Sequence, residues 1–273
     1  RRPIRPPLPR NRAEAGKDTP RGPRGRGIFC FSRGKVSDIL TWDSFWRWKA
    51  VTDIFDILGP VMVGPSSSHT AGAVRIGRMG RTLLGGMPER ARIGLFGSFA
   101  ETGRGHGTDM AIVAGLLGMR PDDMNIPRSF ELAREAGLAW EFYELDSLRG
   151  AHPNTALLTL RAPSGRELEM QAASTGGGRI RVDRLQGVEV NFTGDFNTLV
   201  IRNRDTAGRL ADVTGALSRA GVNIANMSLC RSRRGGNALT VIETDEKVPP
   251  ALRESLRAIP GVVSLTYYER EED

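Results

Sequence analysis

The apolar positions of residues 51–192 follow helical spacing in some segments and strand spacing in others. Between Ala73 and Leu84, apolar residues recur every three or four positions, which predicts a helix that ends at Gly85-Gly86. Because both kinds of spacing occur in one stretch, we expect a single α+β domain over residues 51–192. The predicted helices cover 51–58, 70–84, 108–117 and 130–136, and the predicted strands cover 92–100, 139–145, 156–161, 167–172 and 188–192.

Residues 197–270 carry a more regular pattern, with strands and helices in the order βαββαβ. This order predicts the ferredoxin-like topology. We place the boundary between the two domains near residues 193–197. The predicted strands cover 198–202, 222–231, 238–244 and 262–268, and the predicted helices cover 208–220 and the segment that begins at Pro249-Pro250.

Positive charge is concentrated at the start of the chain. Residues 1–35 contain eleven Lys and Arg against Glu14 and Asp18, which gives +9, whereas the whole chain has a net charge of +8. The remainder is therefore close to neutral, which argues against a nucleic-acid binder. We expect residues 1–50 to be a disordered basic extension, because residues 1–35 are rich in Arg, Pro and Gly. Residues 36–50, which hold three of the four Trp, are either part of this extension or a docking helix. The first Met is Met62, so we expect this extension to come from an early start rather than from the natural protein.

Two further observations narrow the class of protein. The longest apolar run, Ala111–Met119, is far shorter than a membrane span, so we expect no membrane segment. The two cysteines, Cys30 and Cys230, form neither a disulfide framework nor a zinc site. Unpaired thiols of this kind are typical of a cytoplasmic protein.

The only three histidines of the sequence lie in short polar segments: SSSHT (66–70), GRGHGTD (103–109) and AHPNTA (151–156). The serines and His69 stand where a helix begins, and hydroxyl and N–H groups there favour an anion such as a carboxylate. One serine would suffice to cap the helix, which is the simpler interpretation. His106 lies between two glycines that let a substrate approach the backbone.

The second and third segments leave alternatives open. Asp109 either orients the imidazole of His106 or stabilises the start of a helix. His152 is either a functional group or part of a turn formed with Asn154. The spacing of the histidines disfavours zinc, and neither a nucleophile elbow nor a dinucleotide fingerprint is present.

The segments GPSSSHTAGAVRIGRMGRTLLGG, GSFAETGRGHGTDMAIVAGLLG, AHPNTA and STGGG resemble the β subunits of bacterial iron–sulfur-dependent L-serine dehydratases. The resemblance covers residues 51–270. The C-terminal unit resembles an ACT domain, a small-molecule sensor, and the N-terminal domain is similar to the allosteric substrate-binding domain of some phosphoglycerate dehydrogenases.

The resemblance implies the deamination of L-serine to pyruvate and ammonia without pyridoxal phosphate, as in amino-acid catabolism and gluconeogenesis. A [4Fe-4S] cluster on a separate α subunit would act as the Lewis acid. A cluster needs at least three thiolates, more than this chain has, so the resemblance implies that no metal ligand lies in this chain. It also implies homodimerisation through the ACT domain.

The resemblance assigns three groups of residues. The acid–base candidates are His106, His152 and His69, and the substrate-binding candidates are Ser66, Ser67, Ser68, Thr70, Thr108, Asp109, Asn154, Ser174, Gly176 and Gly177. The effector-binding candidates in the ACT domain are Asn203, Asp205, Gly208, Asn223 and Ile224. An alternative hypothesis is a non-catalytic amino-acid-sensing module that controls a partner enzyme.

Overall fold

The computed structural model describes residues 61–231 and 233–270. The predicted extension over residues 1–50 and the predicted helix over 51–58 lie outside the described residues. Among the described residues, twelve helical segments and strands precede Asn197, including a π-helical turn (Ser67–Ala71) and a 3-10 turn (Ile126–Arg128), and six elements follow from Asn197 onward. The helices are α1 (Gly72–Leu84), α2 (Ser98–His106), α3 (Thr108–Leu117), α4 (Ser129–Glu135), α5 (Arg209–Arg219) and α6 (Pro250–Arg257). The strands are β1 (Arg90–Phe96), β2 (Ala139–Glu144), β3 (Thr155–Arg161), β4 (Glu167–Gly176), β5 (Arg179–Leu185), β6 (Val188–Phe192), β7 (Asn197–Arg204), β8 (Ile224–Arg231), β9 (Asn237–Thr244) and β10 (Val262–Tyr268).

Helix α1 forms as its apolar spacing predicts. Gly85 ends it in the left-handed conformation (φ 94°), and the Gly85 N–H donates to the carbonyls of Arg81 and Thr82. A single wide π-helical turn, Ser67–Ala71, precedes the α-helix. Turns of this kind are rare and occur frequently at functional sites.

The first sheet has six strands in the order β2-β1-β3-β4-β5-β6. Strands β1 and β2 are parallel, and the other neighbours are antiparallel. Strand β5 is absent from our sequence prediction, although Ile180, Val182 and Leu185 are its buried residues. The strand is hard to recognise because its alternation of apolar and polar residues is irregular. The pairing with β4 also shifts register, between Gln171 and Ala172 and between Ser174 and Gly176.

The region after β1 differs from the sequence prediction, in which a strand reaches residue 100 and the next helix begins at residue 108. Strand β1 ends at Phe96 rather than at residue 100, and helix α2 then runs from Ser98 through His106. Gly97 makes the sharp turn between them (φ 56°), and Gly107 ends the helix in the left-handed conformation. Helix α3 follows directly, with Gly107 as its N-cap and Thr108 as its first residue, and no side chain caps it.

Helices α1 and α3 cross with their backbones in contact. A Cβ atom at Gly115 would lie 2.1 Å from the carbonyl oxygen of Val74, and one at Gly77 would lie 2.2 Å from that of Ile112. Only glycine permits this approach. The crossing buries the apolar side chains of both helices against the first sheet and fixes the start of α1.

The second sheet has four strands in the order β10-β7-β9-β8, with α5 and α6 on one face. This is the predicted ferredoxin-like arrangement, so the α+β fold class with a second βαββαβ unit is confirmed. Residue Ile201 packs beneath the helices, whereas its neighbour Val200 and Tyr268 join the core of the first sheet. The boundary near residues 193–197 stays a prediction. Among the described residues, no helix combines the length and apolar character needed to cross a membrane.

Candidate active site

His69 is the centre of a network of hydroxyl groups. Its Nδ1 atom lies 3.1 Å from the Oγ of Ser68 and 3.3 Å from the Oγ of Ser66. Its Nε2 atom lies 3.1 Å from the Oγ of Ser98 on α2. Because a hydroxyl both donates and accepts, these contacts suit either neutral tautomer of the imidazole.

The local sequence sets the position of His69. The Oγ of Ser66 accepts a hydrogen bond from the His69 N–H, which caps the π-helical turn. The capping interpretation of Ser66 is therefore correct, but Ser66 and Ser68 also contact the ring. The cap and the ring contacts together hold the imidazole between the start of α1 and the start of α2.

His106 lies beside His69, with ring centroids 5.1 Å apart and an angle of 37° between the planes. Phe99 packs edge-on to the His69 ring at 5.4 Å. Burial lowers the pKa of His69, the neighbouring His106 lowers it further, and a hydrogen bond with the Ser98 backbone opposes the shift. His69 is therefore neutral at physiological pH and able to accept a proton.

The loop that carries His152 abuts the start of α2. A Cβ atom at Gly97 would lie 2.8 Å from the carbonyl oxygen of Pro153. The Asn154 N–H donates to Nδ1 of His152 at 3.1 Å, which fixes Nε2 as the available nitrogen of a neutral ring. The turn and the functional interpretations of His152 are thus compatible, since the turn orients the ring.

The segment 174–178 lies against the start of α1. A Cβ atom at Gly72 would lie 2.1 Å from the Oγ of Ser174. The Ser174 N–H donates to the carbonyl of Asn154, and Nη1 of Arg75 donates to the carbonyl of Gly178. Ser174 and Gly176 lie at the end of β4, and Gly177 follows in the turn to β5.

Within residues 61–231 and 233–270, three buried side-chain hydroxyls lack a hydrogen-bond partner: those of Thr70, Thr108 and Ser174. Each of these residues is at most 2% exposed. A buried hydroxyl without a hydrogen-bond partner costs about 1–3 kcal/mol of stability. A bound ligand that forms hydrogen bonds with these hydroxyls would explain why they are kept. All three were predicted to bind substrate.

The remaining predicted site residues have local roles. Oδ1 of Asp109 accepts a hydrogen bond from the Met110 N–H in the first turn of α3, which favours the helix-start interpretation over orientation of His106. Ser67 opens the π-helical turn, and its carbonyl accepts from the N–H of Gly72.

Sequence reasoning missed Ser98 and Arg75. Both lie inside segments that carry the resemblance, GSFA and GAVRIG, but neither stands in a run of polar residues. Over residues 61–231 and 233–270, no group of three or more His, Cys, Asp or Glu side chains could hold a metal ion.

The predicted effector residues divide between two cavities that flank helix α5. Asn203, Asp205 and Gly208 line one of about 620 Å³. Asn223 and Ile224 line another of about 600 Å³. One chain therefore does not bring the five residues into a single cavity.

The carboxylate of Asp205 and the amide of Asn223, which line these cavities, both have hydrogen-bond partners within the chain. Asp205 accepts hydrogen bonds from the Gly235 N–H and from Arg231, and these lower its pKa. The Asn223 side chain donates to the Asp245 carboxylate and the Asn223 N–H donates to that of Glu246, as expected of a residue that closes the turn from α5 to β8.

Comparisons with known proteins agree with the resemblance. The family model "Serine dehydratase beta chain" matches residues 50–137, and the ACT domain model matches residues 197–261. The "Probable L-serine dehydratase, beta chain" of Bacillus subtilis is 40% identical over 78% of this chain and 96% of its own length.

Two further relatives extend the comparison. The "L-serine dehydratase, beta chain" of Peptoniphilus asaccharolyticus is 32% identical over 79% of this chain and 97% of its own length. The "L-serine dehydratase" of Mycobacterium bovis is 35% identical over 49% of this chain but only 34% of its own length. The chain therefore belongs to the family of L-serine dehydratase β chains and carries a C-terminal ACT domain.

Proposed function

We propose that this chain is the β subunit of a pyridoxal-phosphate-independent L-serine dehydratase. Together with an α subunit that bears a [4Fe-4S] cluster, it deaminates L-serine to pyruvate and ammonia in cytoplasmic amino-acid catabolism and gluconeogenesis. The observation that carries the proposal is the network in which His69 contacts three serine hydroxyls and the ring of His106.

The network suits removal of the α-proton of serine. A base must be neutral to accept a proton, and burial keeps His69 in that form. His106 is the exposed member of the pair, and the two rings are too close for both to carry a positive charge at low cost. We therefore place His69 as the leading base candidate, with His106 and His152 as the acid–base candidates beside it.

The hydroxyl groups suit recognition of the substrate carboxylate. Ser66, Ser67 and Ser68 surround the start of α1, where the helix dipole adds partial positive charge. The unpaired hydroxyls of Thr70, Thr108 and Ser174 supply further donors. Gly176 and Gly177 are both left-handed, and Gly176 leaves room for a ligand because no atom apart from its chain neighbours lies within 4 Å of its Cβ position; Asp109 and Asn154 hold the surrounding backbone.

The iron–sulfur cluster does not fit this chain. Cluster binding takes at least three thiolates, and the sequence has Cys30 and Cys230. The Sγ of Cys230 donates to the carbonyl of Glu189, so this thiol is engaged between β8 and β6. We assign the cluster to the α subunit, where it would act as the Lewis acid. The relative from Mycobacterium bovis, whose length far exceeds the matched part, supports a second functional unit.

The ACT domain is proposed to bind an amino-acid effector between two copies of the chain. Since Asn203, Asp205 and Gly208 line one cavity and Asn223 and Ile224 another, two copies would combine the two sets into one site. Strand β8 is an edge of the second sheet, and Met227 and Leu229 on it are 38% and 43% exposed. Such an edge favours homodimerisation through β8.

The second candidate function is a non-catalytic sensing module that controls a partner, which the two cavities beside α5 favour. The His106→Ala variant of the reconstituted pair separates the two functions. A catalytic role predicts that turnover falls by about 10²–10⁴-fold, the usual contribution of an acid–base residue. A sensing role predicts that turnover persists and only its dependence on serine concentration changes.

The experiment that tests the proposal is anaerobic co-purification with the α subunit, followed by an assay of pyruvate formed from L-serine. We expect the pair to be brown and active and this chain alone to be colourless and inactive. A brown, active preparation of this chain alone would show that it is not half of an enzyme. A pair that binds serine without forming pyruvate would support the sensing module.

A further inference from the structure

We propose that the cleft between the two sheets binds a small oxyanion, a carboxylate or a phosphate, between the guanidinium groups of Arg166 and Arg202. The cleft has a volume of about 240 Å³ and is lined by residues of both sheets. It is smaller than the cavities that hold drug-sized ligands, so it suits a compact molecule. It is separate from the effector cavities beside α5 and from the network around His69.

One wall of the cleft, on the second sheet, carries three polar side chains beside the apolar Val200, Leu239 and Val263. In the antiparallel pair β7–β10, Arg202 stands opposite Ser264, and Val200 stands opposite Thr266. Opposed residues and residues two positions apart share one face of a sheet. Since Val200 packs into the core of the first sheet, Arg202 and both hydroxyls face the first sheet as well.

The opposite wall presents Arg166, from the turn between β3 and β4. Its Nη2 donates to the carbonyl of Leu83 at 3.0 Å and to the Oγ1 of Thr266 at 3.1 Å. These bonds hold the guanidinium across the cleft. A guanidinium has five N–H donors, so donors on Nη1 and Nε remain for a ligand.

The two arginines repel each other. Burial and the charge of Arg202 both lower the pKa of Arg166. Within the described part of the chain, Arg202 forms no ion pair, and Glu167, which also lines the cleft, forms none with either arginine. A bound oxyanion would relieve the repulsion and accept charge-assisted hydrogen bonds from both groups.

The first test is calorimetric titration of the full-length chain with inorganic phosphate and, separately, with acetate, at constant ionic strength set by chloride. The variants are Arg202→Gln and, as a control with the same loss of charge, Arg219→Gln at the exposed end of α5. We expect saturable binding that Arg202→Gln weakens at least about tenfold, since a charge-assisted hydrogen bond contributes that much. The control should bind as the wild type does.

The outcomes distinguish the ligands and the sites. Binding of phosphate alone identifies a phosphate site, and binding of both identifies a general oxyanion site. The hydroxyl network at the other end of α1 can also bind these anions, but Arg202→Gln leaves that binding unchanged. Equal affinity of the wild type and Arg202→Gln for both anions would overturn the proposal.

A second measurement uses the wild-type chain and does not depend on a variant that folds. Phenylglyoxal modifies accessible guanidinium groups, and peptide mass spectrometry reports the rate at each arginine. We expect phosphate or acetate to slow the modification of Arg202 and to leave that of Arg219 unchanged. Equal rates at Arg202 with and without both anions would contradict the proposal.

Discussion

The Nε2 atom of His69 lies 3.1 Å from the Oγ of Ser98, although 29 positions separate the two residues in the sequence. The contact joins the π-helical turn before α1 to the first residue of α2. It fixes the ring from the side opposite Ser66 and Ser68. We infer that Ser98 is a positioning residue for His69.

The Ser98→Ala variant tests this role. Loss of one hydrogen bond costs about 0.5–1.5 kcal/mol, so we expect kcat of the reconstituted pair to fall by up to about tenfold while the fold persists. The Ser98→Thr variant keeps a hydroxyl and should recover part of the loss. Steady-state kinetics of pyruvate formation provide the measurement.

Ser255→Ala is the matched control, because the Ser255 hydroxyl donates only within α6, to the carbonyl of Ala251. It should leave kcat and KM unchanged. If Ser98→Ala also leaves both constants and their pH dependence unchanged, Ser98 does not position His69.

The position of His106 beside His69 predicts an effect on the pKa of His69. Because burial and the charge of His106 lower the pKa of His69, the His106→Gln variant should raise that pKa towards its ordinary value. NMR titration of the imidazole C–H signals measures it directly, since the sequence has only three histidines. An unchanged His69 pKa in His106→Gln would contradict this effect.

The same shift predicts how stability depends on pH. The folded state binds the His69 proton less tightly than the unfolded state, so the unfolded state holds more protons as the pH falls below 6.5. The stability that neutral His69 contributes is therefore present above pH 6.5. It is lost as the pH falls from 6.5 through the lower pKa of His69 in the folded state. His69→Gln should weaken this acid destabilisation, as urea unfolding at pH 7.5 and pH 5.5 would show.

Because α1 and α3 cross in close contact, one methyl group added at the crossing should strongly reduce the stability of the fold. The Cβ of Gly115→Ala would meet the Val74 carbonyl and the Arg78 N–H, backbone atoms that cannot move aside without separating the helices. We expect a loss of about 1–3 kcal/mol or more in the free energy of unfolding, measured by urea denaturation.

Gly105→Ala is the control for that change, because a Cβ at Gly105 in helix α2 would have no atom within 4 Å apart from its chain neighbours and the backbone of its own helix. Replacement of a helical glycine by alanine should stabilise the protein by about 0.4–1 kcal/mol. Equal stabilities of the two variants would show that the helices do not cross as closely as described.

Periodic segments were predictable from the sequence, and segments shaped by distant contacts were not. The apolar spacing of α1 and the βαββαβ order led to elements that the structure contains. Helix α2 was missed because Gly103 and Gly105 read as helix breakers, whereas Gly103 is buried beside Leu95. Intrinsic propensity is weak against tertiary packing of this kind.

The polar segments that form the site were predictable from the sequence, but the contacts between their side chains were not. The three histidine segments and STGGG do meet, through His69 and His106, Gly97 and Pro153, and Ser174 and Asn154. Ser98 could not be identified, because a single serine in an apolar segment carries no local signal. Its importance comes from a contact between distant parts of the chain.

Turnover of the His69→Ala variant, reconstituted with the α subunit under anaerobic conditions, tests the central claim most directly. We predict that pyruvate formation from L-serine falls by about 10²–10⁴-fold, as loss of an acid–base residue requires, while the two subunits still co-purify. Turnover that remains at the wild-type level, with only its serine dependence altered, would contradict a catalytic site centred on His69.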